Sequence, residues 1–314
     1  MKKRIEFAAI CAVLAINAIV TAQDTEPKAQ VRTVTIPISI FTKRELRENQ
    51  PEEFVQADRL VVQEDNEEQQ ILSIRSVATT PLSIAIVIQD DLTSGFNLQL
   101  DDIRNFIRGL PKGTRVMTAY SRAGTIDVRQ RFTDDLALAA NSLRIVVGFP
   151  TAGPRSPFDG IDQVLSRFDS VPAGRRAILL FSDGLDSSEG LRLASIAQSF
   201  SLEQAILKAQ RRSVAVYSFY GPTQLTENGN SVFVLAAQGA LAKLSDETGG
   251  RSFYHGSMAP VSYVPYFREL VMSLNRQFSL TYLSTHMKKG YHKVRVNSTN
   301  PEIKIEHPRG YYHR

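Results

Sequence analysis

LSIAIVIQDD, residues 82–91, is the stretch that decides the fold, and AILLFSDGLD at residues 177–186 repeats its pattern. Each is an unbroken run of aliphatic and β-branched residues that ends in acidic and small polar residues. A strand buried on both faces of a parallel sheet has this composition. We therefore predict that the two segments are neighbouring parallel strands. Because ligands bind at the carboxyl ends of such strands, the functional site is expected where these two runs end.

The rest of the chain shows two patterns of apolar and polar residues. Residues 31–80 contain short segments in which apolar and polar side chains alternate with a period of two, and residues 277–314 return to that pattern. Between them, over residues 81–276, strands alternate with amphipathic helical segments. We predict a doubly wound, mostly parallel α/β domain in the middle of the chain. The two terminal segments are expected to pack together as an accessory antiparallel β module, because domain termini often lie close to each other.

Two local patterns refine the β module. Pro37 cannot donate to a sheet ladder, which predicts that its strand lies at an edge. Residues 278–282 and 294–296 lie on either side of a polar turn and predict a hairpin. His286 and His292 flank that turn and could meet across it. We expect both to be exposed and to bind no metal, because two exposed histidines seldom hold an ion unaided.

Residues 1–22 have the pattern of a signal peptide. Three basic residues precede an apolar run over residues 7–20, and small residues end at Ala22, where we predict cleavage and export to the periplasm, the cell surface or the medium. An uncleaved anchor is a weaker alternative, since spanning a bilayer takes about 20 apolar residues. Lipid attachment at Cys11 is weaker still. Residues 23–30 are polar and predict a disordered leader.

Composition excludes several function classes. Removal of the signal peptide lowers the formal net charge from +5 to +3 and removes the single cysteine, so disulfides and thiol catalysis are excluded from the mature chain. The remaining positive charge is small and dispersed, and no nucleic-acid partner is expected. No later apolar run is long enough to span a membrane. The sequence also contains no nucleophile elbow, zinc-protease helix or phosphate-binding loop, so we expect no catalytic activity.

Several motifs in order carry a resemblance to a known family. They are PLSIAIVI, ILLFSDGLD, the ETGG turn at residues 247–250, RQFSLTYLS at residues 276–284 and the terminal PRGYY. The central region resembles a von Willebrand factor type A domain. Nearly the whole mature chain resembles the secreted von Willebrand factor A-related family common in acidobacterial proteins. The resemblance implies a Rossmann-like fold, a bacterial origin and a protein partner.

In that family, Asp-x-Ser-x-Ser after the first strand, a threonine from a middle loop and the aspartate of the SDG-type loop surround one divalent cation. The cation is usually Mg²⁺, and its open position takes a carboxylate from the partner. On this pattern Gln89 takes the place of the first aspartate. Asp91 and Thr93 take those of the two serines, and Asp183 matches the SDG aspartate. Arg155 stands at the threonine position.

These departures predict a degenerate metal site. The guanidinium of Arg155 would bring a fixed positive charge to the place of the cation and could pair with Asp183 or Asp91. No cofactor is then expected. In the alternative, Asp91, Thr93 and Asp183 keep a weak Mg²⁺ or Ca²⁺ site, and Thr151 replaces the missing threonine if the loop bends. Shifting the register to Asp90 would leave an apolar leucine at a hydroxyl position.

Asp186 completes the predicted rim of the site. It follows the SDG segment and could support the ligands, although a turn or capping carboxylate is the simpler interpretation. Three functions stay open from these residues. The first is an exported, non-catalytic module that binds an unknown protein through the loops at the carboxyl edge of the sheet without a metal. The others are a Mg²⁺- or Ca²⁺-dependent binding domain and a structural component of an envelope assembly.

Overall fold

The computed structural model describes residues 31–44, 60–77, 80–148, 155–172, 174–190, 199–227, 231–256 and 258–313. The predicted signal peptide and leader lie outside the described residues, as does Thr151. Among the described residues, no helix has the length and apolar character needed to cross a membrane.

The described residues form two β-sheets and helices that cover one of them. The strands are β1 Arg32–Thr42, β2 Leu60–Glu64, β3 Glu67–Ser76, β4 Leu82–Gln89, β5 Arg115–Arg122, β6 Thr125–Thr133, β7 Arg175–Ser182, β8 Ala215–Tyr220, β9 Ser252–Phe253, β10 Gln277–Ser284, β11 Gly290–Ser298, β12 Ile303–Glu306 and β13 Gly310–His313. The α-helices are α1 Leu100–Arg108, α2 Leu136–Asn141, α3 Ile161–Arg167, α4 Phe200–Arg211, α5 Gln224–Glu227, α6 Ser231–Thr248 and α7 Val264–Asn275. Short 3₁₀ helices span Ser94–Gln99 and Phe168–Ser170.

The central sheet has the strand order β6-β5-β4-β7-β8-β9. All its neighbouring pairs are parallel except β5 with β6. The prediction that β4 and β7 lie side by side is confirmed. The chain winds outward from β4 in one direction through β5 and in the other through β7, so the strand order reverses between them. This reversal opens a crevice at the carboxyl ends of β4 and β7, where α/β sheets bind ligands.

Both faces of the central sheet are buried. Every residue of β4 is buried, which explains why its sequence is mostly apolar rather than alternating. On one face, α1, α2 and α7 pack on side chains such as Ile84, Ile86 and Phe181. On the other face, α3, α4 and α6 pack on Ala85 and Val87 and their neighbours. The predicted doubly wound α/β architecture is therefore confirmed.

The accessory sheet joins the two ends of the chain. Its strand order is β12-β1-β10-β3-β2-β11-β13, and every described pair in it is antiparallel. Strands from before the central domain are therefore interleaved with strands from after it. Val34, Ile36, Ile38, Leu280 and Tyr282 lie in its buried layer. The predicted β module is present and forms through interleaving of both terminal segments.

Two predictions about this sheet were wrong. Strands β10 and β11 do not form a hairpin with each other, because the β2–β3 hairpin lies between them. That hairpin has its own two-residue turn at Asp65 and Asn66, both with positive φ, a conformation that favours a tight reversal. The strand of Pro37 is not an edge strand either. Its partner β12 covers only residues 39–42, so Pro37 lies beyond the part of β1 that is paired on that side.

Candidate binding site at the crevice between β4 and β7

Gln89, the last residue of β4, connects the two strands at the crevice. Its side-chain carbonyl accepts hydrogen bonds from the Ser182 hydroxyl at 2.6 Å and from the Asp183 backbone amide at 3.1 Å. Its amide nitrogen donates to Asp91 Oδ1 at 2.9 Å. An amide can do this because it is both donor and acceptor, whereas a carboxylate could only accept. Gln89 therefore holds the loop after β7 against the loop after β4.

Arg155 occupies the centre of the crevice. One guanidinium nitrogen donates to Asp91 Oδ2, and the other lies 3.3 Å from Asp183 Oδ2. The arginine side chain is 5% exposed and the two carboxylates are 3% and 0% exposed, so the ion pairs are buried. A buried arginine has five donors to satisfy, and its Nε has no partner among the described residues. Three of the predicted site residues, Asp91, Arg155 and Asp183, therefore meet through the guanidinium of Arg155.

Thr223 is a site residue that the sequence analysis missed. Its hydroxyl donates to Asp183 Oδ2 at 2.7 Å and lies 3.4 Å from Arg155 Nη2. The loop after β8 brings it there, and an isolated bridge pairs Thr223 with Leu92. A usable signal existed, because β8 is the next parallel strand and polar residues after such strands converge at one edge.

The other predicted residues have different contacts. Thr93 is nearly buried, and its backbone amide donates to Pro222 O at 2.9 Å. Asp186 accepts hydrogen bonds from the Ser188 amide and hydroxyl at 2.9 and 2.6 Å, and from the hydroxyl of Ser199, which caps α4. Asp186 therefore acts as a turn carboxylate, as in the simpler interpretation, and it also holds the serine that caps α4.

A second acid at the end of β4 forms a separate ion pair. Asp90 receives two hydrogen bonds from the Arg144 guanidinium, at 2.6 and 3.1 Å. The hydrogen bond to Asp90 raises the pKa of Arg144, although partial burial opposes the rise. The guanidinium also lies 4.1 Å from the centre of the Tyr120 ring. Asp90 therefore pairs with Arg144 and not with the residues of the crevice. This agrees with the choice of a register in which Asp90 is not the first ligand.

The crevice in this arrangement does not fit a divalent cation. Both oxygens of Asp91 already accept hydrogen bonds, one from Gln89 and one from Arg155. Asp183 accepts the Leu185 amide on Oδ1 at 3.1 Å and Thr223 on Oδ2. A cation in the middle would face the fixed charge of the guanidinium at close range. The carboxylates can bind Mg²⁺ or Ca²⁺ only if Arg155 leaves.

Exposed apolar residues lie on two segments near the end of β4, one of which is joined to Asp90 by the Val147 amide at 3.1 Å. Asn97 holds the segment that follows α2. Its side chain donates to Val146 O at 3.4 Å and accepts from the Val146 amide at 2.8 Å. Leu98, which is 84% exposed, follows Asn97 in the chain, and Ile145 and Val147, which are 66% and 43% exposed, flank Val146. Exposed apolar groups that cluster in this way mark interaction surfaces more often than single exposed leucines do. We call Leu98, Ile145 and Val147 the apolar rim.

No protein-family model and no curated protein matches this chain. Among solved structures, it is similar to a von Willebrand factor type A protein from Catenulispora acidiphila, with 10% identity over 78% of this chain and 74% of that one, at a TM-score of 0.43. It is also similar to an aerotolerance-related membrane protein from Bacteroides fragilis, with 13% identity, coverage of 62% and 98%, and a TM-score of 0.40. A third similar structure is the vWF domain of the type V pili tip protein Mfa5 from Porphyromonas gingivalis, with 11% identity, coverage of 62% and 94%, and a TM-score of 0.41.

These neighbours include the class of domain that the sequence motifs resemble. The two sheets described above are consistent with a von Willebrand factor A-like domain that carries an accessory β module.

Proposed function

We propose that this protein is an exported, non-catalytic protein-binding module of the adhesion type. It recognises its partner through the loops at the carboxyl edge of the central sheet and needs no bound cation. One observation carries the proposal. The guanidinium of Arg155 pairs with Asp91 and Asp183, so a cation from within the chain already contacts both acids of the crevice.

A guanidinium in place of a metal ion changes which contacts the crevice can make with a partner. A metal with an open position would capture a carboxylate from the partner, whereas an arginine whose two terminal nitrogens already face Asp91 and Asp183 offers no such position. Affinity must then come from the surface around the crevice. The exposed side chains of Leu98, Ile145 and Val147 provide apolar area for that contact.

Capture experiments with rim variants test this function. We expect a protein from an envelope extract of the host organism to bind the immobilised mature chain in the presence of EDTA. The double variant Leu98→Ser, Ile145→Ser should no longer capture this protein, because it removes two of the three side chains of the apolar rim. The control is Leu72→Ser, which changes an apolar residue of the accessory sheet that is 48% exposed. Retention by the rim variant, with loss in the control, would indicate the alternative in which the accessory module docks onto an envelope assembly.

The cation-dependent alternative makes the opposite prediction. It requires Arg155 to leave the crevice so that Asp91, Thr93 and Asp183 can coordinate Mg²⁺ or Ca²⁺. Capture of the partner would then need millimolar cation and would be lost in EDTA. A cation that binds only the folded chain would also raise its melting temperature. Either result would contradict the metal-free mode of binding.

A further inference from the structure

The accessory sheet contains a second polar cluster, far in sequence from the crevice. It consists of Glu64 at the end of β2, Asp65 in the turn that follows, His292 in β11 and His286 in the segment before β11. We call these four residues the histidine–carboxylate cluster. One ligand atom from each of Glu64, Asp65 and His292 lies within 4.8 Å of the other two. The expectation that both histidines are exposed is wrong for His292, whose exposed fraction is 4%.

The backbone holds the cluster in place. Strand β11 pairs with β2 so that Val294 lies opposite Glu64. The Asp65 amide donates to Lys293 O at 2.9 Å, and the Lys293 amide donates to Asp65 Oδ1 at 2.8 Å. Asp65 Oδ2 is left to face His292. The side chains are therefore positioned by a sheet and a tight turn rather than by a free loop.

The proton positions of His292 show the need for a cation. Its Nε2 lies 2.7 Å from Lys288 O, and a carbonyl only accepts, so Nε2 carries the hydrogen. In a neutral ring Nδ1 then presents a lone pair. That lone pair faces two carboxylates, with Asp65 Oδ2 at 2.8 Å and Glu64 Oε1 at 3.4 Å. This contact is favourable only if a positive charge lies at Nδ1, either a proton or a metal ion.

Two unpartnered atoms favour the metal ion over the proton. Glu64 is completely buried, yet its Oε2 has no hydrogen-bond partner among the described residues. The Nδ1 of His286 is also buried without a partner there, and it lies 3.7 Å from Glu64 Oε1. A proton on His292 would serve Asp65 and leave both atoms unsatisfied, which is costly for buried polar groups. A cation held by Glu64, Asp65 and His292 would give Oε2 of Glu64 a partner.

The other oxygen of Glu64 is already used. Oε1 accepts from Tyr311 at 2.6 Å and from Ser284 at 2.9 Å, and Arg32 lies 3.5 Å away. These donors fix the carboxylate plane and leave Oε2 for a ligand. Hydrogen bonds that orient a ligating carboxylate in this way are typical of metal sites.

We propose that the histidine–carboxylate cluster is a binding site for a divalent transition-metal ion of the Zn²⁺ class. A mixed set of imidazole nitrogens and carboxylate oxygens suits such ions, whereas Mg²⁺ and Ca²⁺ prefer oxygen ligands alone. Three ligand atoms within 4.8 Å of one another can close on an ion bonded at about 2.1 Å, because such ligands lie about 3.4 Å apart in a tetrahedron. Asp65, Glu64 and His292 supply three ligands, and His286 or water the fourth. The ion would join the β2–β3 hairpin to the C-terminal segment.

Metal titration of the mature chain tests this site. The chain, freed of metal with chelator, is titrated with ZnCl₂ by calorimetry, with MgCl₂ as a parallel titration. We expect one Zn²⁺ per chain at micromolar concentration, a higher melting temperature with Zn²⁺, and no comparable effect of Mg²⁺. Bound Co²⁺ should show the visible absorption of a four-coordinate ion.

Asp65→Asn is the main variant. Asparagine tolerates the positive φ of this turn and can still accept from the Lys293 amide, so folding is preserved while the ligand charge is lost. We expect its Zn²⁺ affinity to fall at least about tenfold, as it should in His292→Ala. His255→Ala, which changes an exposed histidine elsewhere, is the matched control and should bind as the wild type does.

Three results would overturn the proposal. The first is no stoichiometric uptake of Zn²⁺ by the wild type. The second is uptake that Asp65→Asn and His292→Ala leave unchanged. The third is uptake that is lost in Asp183→Asn but not in these two variants, because the ion would then lie in the central crevice.

Discussion

Replacement of Arg155 by methionine tests the internal ion pair of the crevice most directly. Methionine keeps much of the side-chain volume and is flexible enough to pack in the same space. The change leaves Asp91 and Asp183, which are 3% and 0% exposed, without the cation that pairs with both. Loss of one partner from a buried ion pair costs about 3–5 kcal/mol. Gln89 and Thr223 still donate to the two acids, so we expect a loss near the lower limit, about 3 kcal/mol.

The assay is urea denaturation at neutral pH, followed by circular dichroism, in EDTA and in millimolar Mg²⁺. The wild type, freed of bound metal beforehand, should unfold with the same free energy in both. In Arg155→Met the two freed carboxylates should bind Mg²⁺, and a cation present at 100 times its Kd restores about 2.7 kcal/mol. Combining Arg155→Thr with Gln89→Asp should strengthen that binding further. Arg129→Met is the control, because its ion pair with Asp127 is exposed and should contribute less than about 1 kcal/mol.

Two results would refute this account of the crevice. A loss of less than about 1 kcal/mol in Arg155→Met would mean that the buried pair adds little to stability. Stabilisation of the wild type by Mg²⁺ would mean that Arg155 yields its place to a cation.

Three further predictions concern stability. Burial lowers the pKa of His307, whose Nε2 accepts from the Val296 amide at 3.1 Å. The unfolded chain therefore binds more protons below about pH 6.5, and the free energy of unfolding decreases as the pH is lowered through that range. His307→Leu should be less stable at neutral pH, but urea titrations should show a smaller decrease in its stability on acidification. Gly250→Ala should lower the free energy of unfolding by more than about 1 kcal/mol, because its Cβ would lie 2.0 Å from Val216 O. Gly239→Ala, in α6 with open space around it, should instead stabilise by about 0.5–1 kcal/mol in the same denaturation assay, and a loss there would contradict the reasoning.

The central fold could be predicted because its signals are local. A strand buried on both faces must be apolar throughout, and two such runs with polar ends indicate where the sheet opens. The meeting of Asp91, Arg155 and Asp183 follows from that placement. Thr223 was missed because a threonine in a polar loop has no distinctive pattern of its own.

The accessory sheet shows that local sequence patterns do not predict which strands pair with each other. Alternation identifies β10 and β11 as strands but does not say which strands they pair with, and another hairpin lies between them. The same limit explains His292. It was expected to be exposed because the acids around it, Glu64 and Asp65, lie more than two hundred residues earlier in the chain.

The interleaved order of the accessory sheet has a consequence for how the molecule is made. Both neighbours of β1 are contributed by the last part of the chain, β10 on one side and β12 on the other. When β1 leaves the ribosome, its partners have yet to be synthesised, and unpaired strand edges in that interval invite aggregation. The central domain can fold as its own residues emerge, whereas the sheet beside it must close last. The interval before β10 and β12 are synthesised is therefore the stage at which the edges of β1 have no partner from this sheet.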